Sequence, residues 1–168
     1  MNYTREYISL ENLDSMHEQY NIIENHGDGN CIFESVAAFH CYWGSIEESA
    51  KQIRRHVSEY YDSVLLNNSW PEDSIQNLLI EMLELESRDS AYTHQEKIRC
   101  DGIYGGICDL ITAAFLFQFN IELYMKMSDG TYTLYSIRMK DTHTTHVFYY
   151  SGRDRYNALY EPISQFEV

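Results

Sequence analysis

Basic residues are scarce in this 168-residue chain: 12 Lys and Arg stand against 26 Asp and Glu, a formal net charge of −14. Such a chain repels a phosphate backbone, which argues against general nucleic-acid binding. It suits a basic partner surface instead, toward which the opposite charges speed encounter. No apolar run approaches the ~20 residues that a membrane-spanning helix needs. The opening residues, MNYTREYISLENLD, lack the basic and apolar regions of a signal peptide, so a cytoplasmic chain without a membrane partner is expected. No CxxC pair occurs. Cys31, Cys41, Cys100 and Cys108 are widely separated, and free thiols are expected rather than a disulfide framework. A zinc site from His94, Cys100 and Cys108 would fit no common spacing, so no metal is expected. Proline is limited to Pro71 and Pro162, and neither repeats nor low-complexity segments divide the chain.

Apolar material is plentiful: 44% of the residues are hydrophobic, with 15 Tyr and 7 Phe, enough for a sizeable core and against disorder. The length suits one domain over 1–168, expected to act as a monomer. Residues 10–23 read as a short amphipathic helix running into an extended stretch. HGDGN (26–30) concentrates turn formers, and Ile32, Ser35, Val36 and Phe39 recur at helical spacing over Cys31 to Trp43. A second helix is expected over Ile46 to Leu66, with Ile53, Val57, Tyr60 and Val64 on one face, and a third over Ser74 to Glu86. Residues 87–102 are polar and read as a loop or irregular helix. Gly105 and Gly106 open a central helix, Ile107 to Phe117. The period then becomes strand-like: 121–127 and 131–139 form one hairpin, 145–150 and 155–162 another, their Tyr residues (132, 135, 149, 150) reading as sheet packing. Helices first and strands later indicate an α+β domain.

Asp28-Gly29-Asn30-Cys31 runs directly into a helix. A thiol there sits at the positive end of the helix dipole, which favours thiolate. The glycine-rich turn before it exposes backbone N–H groups that could stabilise an oxyanion as the thiolate attacks a carbonyl. An ordinary buried thiol is the alternative reading of the same residue.

GDGNCIFESVA resembles the signature of the ovarian tumour (OTU) family of cysteine deubiquitinases. Three further segments resemble that family in order: IRRHVSEYYDS (53–63) its arginine-bearing helix, IYGGICDLITAAFLFQFNIELY (103–124) its Trp-Gly-Gly segment with Tyr104 in place of Trp, and VFYYSGRDRYNALYEP (147–162) the hairpin closing its catalytic centre. The resemblance implies an OTU-like, papain-type α+β fold with helices flanking a small, mainly antiparallel sheet. It implies ubiquitin or a ubiquitin-like modifier as partner, no cofactor, Cys31 as nucleophile, Asp28 as a loop residue whose backbone helps bind the oxyanion, and Asn157 as the residue orienting the base.

The base itself is replaced. Where the family reads His, aromatic, then Asn or Asp, this chain reads Arg155-Tyr156-Asn157. Arginine stays protonated and can attract a thiolate, but it cannot exchange a proton near neutral pH as histidine does. General acid–base catalysis is worth about 10²–10⁴-fold, so turnover should fall by that order. His26, five residues before Cys31, is the nearest candidate substitute. His146, nine residues before Arg155 on the strand entering the closing hairpin, is a further candidate that starts well away from the centre, or else a surface strand position. His40 lies nine residues along the expected helix, about 13 Å away at 1.5 Å per residue. Two functions follow: a cysteine isopeptidase weakened by the replaced base, or a catalytically inactive ubiquitin-binding pseudo-deubiquitinase.

Overall fold

Ile121, Leu123, Ile137 and Phe148 alternate with less buried neighbours along their strands, and all four are fully buried. This period of two builds a sheet whose inner face meets the helices. The computed structural model describes residues 3–10, 20–22, 29–65, 88–126, 129, 132–150 and 160–165. In chain order the elements are β1 (Tyr3–Leu10), β2 (Tyr20–Ile22), α1 (Cys31–Ala37), α2 (Ile46–Leu65), α3 (Arg88–Ile98), α4 (Ile107–Phe117), β3 (Asn120–Lys126), β4 (Tyr132–Met139), β5 (Thr145–Tyr150) and β6 (Tyr160–Gln165). The strands form one six-stranded sheet in the order β1-β4-β3-β5-β6-β2. Every neighbouring pair is antiparallel except β3 with β5. The expected α+β class with a mainly antiparallel sheet holds.

Four elements depart from the sequence reading. Residues 3–10 form a strand, β1, that pairs along β4, whereas Tyr20–Ile22 pairs with β6 in the stretch read as extended and the short helix expected before it, over 11–19, lies outside the described residues. Tyr3, Thr4, Tyr7 and Ile8 are strand formers, and the open edge of β4 gives them a ladder to join. Residues 88–98 form a regular helix despite their polarity. Its anchors are Ile98, fully buried, with Gln95 bonded to Asp62 and His94 to Asp109, so polar contacts replace an apolar stripe. The Cys31 helix stops at Ala37, six residues short of Trp43, as the amides of Phe39 and His40 both turn back to the carbonyl of Val36. The last strand begins at Tyr160 and runs to Gln165. The helix expected over 74–86 lies outside the described residues.

Along α2, Ala50, Ile53, Val57 and Tyr61 are buried, and Tyr60 and Val64 pack at the margin. Ser45 starts this helix by accepting the Glu48 N–H on its side chain, a capping contact. The middle of α4 is buried from Cys108 to Ala114, so α4 lies between α1, α2 and the sheet. Tyr135 and Tyr150 pack against the core and Tyr149 is buried, as sheet packing requires.

Candidate functional site

Cys31 is the first residue of α1 and is fully buried. The turn entering it is held by backbone packing at a glycine. A Cβ on Gly29 would lie 1.6 Å from the carbonyl oxygen of Gly102, so only glycine lets the two loops meet. Asn30 is the N-cap, with φ −96° and ψ 2°, yet its side chain does not cap the helix. Its Oδ1 instead accepts from Arg54 Nη2 at 2.8 Å and from the Gly102 N–H at 3.0 Å. Asn30 therefore anchors the turn. The first rung of the helix ladder runs from Glu34 N–H to Asn30 C=O, so the amides nearest the thiol are not consumed by the helix itself.

Arg54 carries the rest of this arrangement; the motif pointed to its segment but not to which of the adjacent Arg54 and Arg55 acts. Its guanidinium donates to Gly29 O (3.0 Å), Ile98 O (2.9 Å) and Ile103 O (2.8 Å) as well as to Asn30, and it lies 4.4 Å over the Phe33 ring. It is only 3% exposed. Burial lowers its pKa, while the charges of Asp101, Asp109, Cys100 and Cys31 oppose that shift. The sequence did carry a signal: positions 50, 54, 57 and 61 share one helical face, which puts an arginine on an otherwise apolar stripe.

Behind the turn, Gly105 brings the start of α4 against α1, since a Cβ there would lie 2.6 Å from Ile32 Cγ2. Gly105 thus serves close packing, whereas Tyr104 is 38% exposed. Asp109 is fully buried and accepts from Tyr61 Oη (2.7 Å), His94 Nε2 (3.1 Å) and the Gly106 N–H (2.7 Å). Burial and the Asp109 charge push the Cys108 thiol and the Tyr61 phenol well up, so both stay protonated. His94 and Cys108 therefore belong to a polar cluster around Asp109, and Cys100 is exposed. Among the described residues no group of three His, Cys, Asp or Glu is arranged to hold a metal ion.

His40 and His146 meet at the C-terminal end of α1, the end away from Cys31. Their Nε2 atoms are 2.9 Å apart, and His40 Nδ1 lies 2.8 Å from Tyr42 Oη. His146 stacks on Phe39 at 4.1 Å and pairs in register with Ile121, which places it on the inner face of the sheet and not on the surface. Asp28, His26, Arg155 and Asn157 lie outside the described residues. The strand that follows Arg155 and Asn157, β6, packs beside α1.

By sequence, the chain matches no protein-family model and no curated protein. By structure it is similar to the OTU of Hazara virus bound to ubiquitin (TM-score 0.65, 11% identity, 99% of this chain and 92% of that one). It is also similar to the viral OTU domain protease of Qalyub virus (TM-score 0.61, 14% identity, 98% and 94%). An OTU deubiquitinase of Wolbachia pipientis wMel bound to ubiquitin aligns as well (TM-score 0.53, 11% identity, 88% and 97%). With its helices against one six-stranded sheet and a cysteine opening the first of them, this chain has the OTU fold.

Proposed function

We propose that the chain is a ubiquitin-directed cysteine isopeptidase in which Cys31 is the nucleophile and turnover is weak because Arg155 replaces the histidine base. The observation that carries the reading is Cys31 at the first residue of a buried helix, behind a clamped glycine turn, in a fold shared with OTU proteins from viruses and a bacterium. In this reading Asp28 contributes its backbone to the oxyanion site and Asn157 keeps its place as the orienting residue. The thiolate attacks the isopeptide carbonyl, the helix-start amides take up the developing oxyanion charge, and the lysine amine must then leave with a proton. That proton is the step Arg155 cannot supply.

The second reading, a ubiquitin-binding pseudo-deubiquitinase, is favoured by one specific observation. His40 and His146 face each other at the far end of α1, which leaves His26 as the substitute proposed for the base. Incubation with di-ubiquitin of every linkage, for the parent, Cys31→Ala, His26→Ala and Arg155→His, separates the two. Under the first reading the parent cleaves slowly, Cys31→Ala does not, and Arg155→His gains about 10²-fold or more from restored acid–base catalysis. A parent that cleaves briskly and is abolished by His26→Ala would identify His26 as the base. Inactivity of both parent and Arg155→His, with the fold intact, would establish the pseudoenzyme.

A further inference from the structure

Among the described residues Arg54 is the one buried Lys or Arg, and each hydrogen bond it makes to them ends on an uncharged oxygen. A cation held for stability alone is better placed against a carboxylate, because desolvating it is costly. What its fork does join is two loops: Gly29 and Asn30, which enter Cys31, and the carbonyls of Ile98 and Ile103, which bracket the approach to α4. Gly102 completes the joint through its N–H on Asn30 and its carbonyl against Gly29.

We infer that Arg54 is a positioning residue for Cys31: it fixes the entering turn against the 98–103 loop, sets where the thiol and the first-turn amides point, and places a positive charge behind the thiolate. This rests on the reading of Cys31 as nucleophile. Lysine cannot reproduce the function, since one ammonium cannot bridge carbonyls on both loops with the spread of a planar fork. The same geometry explains why the N-cap is an asparagine whose oxygen faces away from the helix. That oxygen is the second half of the clamp.

The test compares the parent with Arg54→Lys and Asn30→Ala. Intact-mass kinetics follow adduct formation between Cys31 and ubiquitin bearing a C-terminal propargylamide across pH. Calorimetry gives ubiquitin affinity in a Cys31→Ala background, and amide hydrogen exchange reports on the loops. Displacing reacting groups by about 1 Å can cost 10²-fold, so adduct formation should slow by about 10- to 100-fold in Arg54→Lys and its pH midpoint should rise. Ubiquitin affinity should be unchanged, and faster exchange should be confined to 29–33 and 98–103. Should Arg54→Lys not fold, Asn30→Ala, which removes one acceptor at a half-buried site, gives the same readouts. A variant with the parent's rate and pH midpoint overturns the inference, as does a slower rate that merely follows lost ubiquitin affinity. A parent that forms no adduct overturns the nucleophile reading instead. Exchange then decides the clamp by itself: faster exchange limited to those two segments upholds it, and unchanged exchange removes it.

Discussion

His40 and His146 place two imidazoles nearly head-on, with ring centroids 5.0 Å apart and nitrogens 2.9 Å apart, so one must donate and the other accept. The rings around them are Phe39, Phe117 and Phe119, and the one further titratable group facing them among the described residues is Tyr42. Burial lowers the pKa of His40; burial and then the charge of His40 lower that of His146, to about 4. An unfolded histidine titrates near ~6.5, so as pH falls the unfolded chain takes up protons first. The pair's contribution to stability is thus complete above about pH 6.5 and is lost progressively toward pH 4. The contact already holds one proton, so the first added proton goes to a nitrogen outside it and leaves the N–H···N bond in place, whereas the second sets two cations against each other. Denaturation midpoints measured from pH 7.5 to 4 should fall more steeply for the parent than for His146→Phe, which fills the same slot without a charge. Parallel curves would dismiss the pair as the source.

The joint between the turn before α1 and the loop before α4 depends on two glycines that fail differently when changed. Gly102 has φ +83°, with nothing within 4 Å of an added Cβ, so Gly102→Ala carries only left-handed strain, about 1–2 kcal/mol. Gly29→Ala drives a Cβ into a backbone carbonyl that no rotamer change can move, and overpacking of that kind costs on the order of 3 kcal/mol. Chemical denaturation should therefore rank Gly29→Ala as the more destabilised; the reverse order would mean the loops separate easily. The chemical pattern of these elements was legible where one period dominates: α2, α4 and the strands from 120 to 150 follow their apolar spacing closely. It was not legible where a partner decides. β1 exists because β4 offers an edge, α3 because Asp62 and Asp109 receive its polar side chains, and α1 ends early because Phe39 and His40 are drawn into the aromatic cluster. At the site, the glycine turn and Cys31 stood out as a local motif. The meeting of Arg54 with Asn30 spans 24 positions, and that of Asn30 with Gly102 spans 72, distances over which no local period reports.

Charge is a property of the whole molecule here. The −14 formal charge leaves an acidic field around a fold whose one buried Lys or Arg among the described residues is Arg54. Among the remaining described cations, Arg99 meets Asp62 at 2.9 Å and Arg138 meets Glu122 at 2.8 Å, both at partly exposed sites where such pairs add little stability. The uncompensated acidic charge is then available for long-range attraction, and ubiquitin, the partner proposed above, offers a basic and partly apolar face. Electrostatic attraction of that kind acts over about a Debye length, ~10 Å at 0.1 M salt, and contracts to ~3 Å at 1 M. Affinity for ubiquitin, measured by calorimetry with Cys31→Ala so that cleavage cannot intervene, should weaken steadily as salt is raised. Association should slow more than dissociation quickens, because steering acts on the encounter. Binding that ignores salt would assign recognition to apolar contact and detach it from the composition of the chain. Absence of binding in low salt would remove both the isopeptidase and the pseudoenzyme, since each needs the modifier to dock before Cys31 can act on it or shield it.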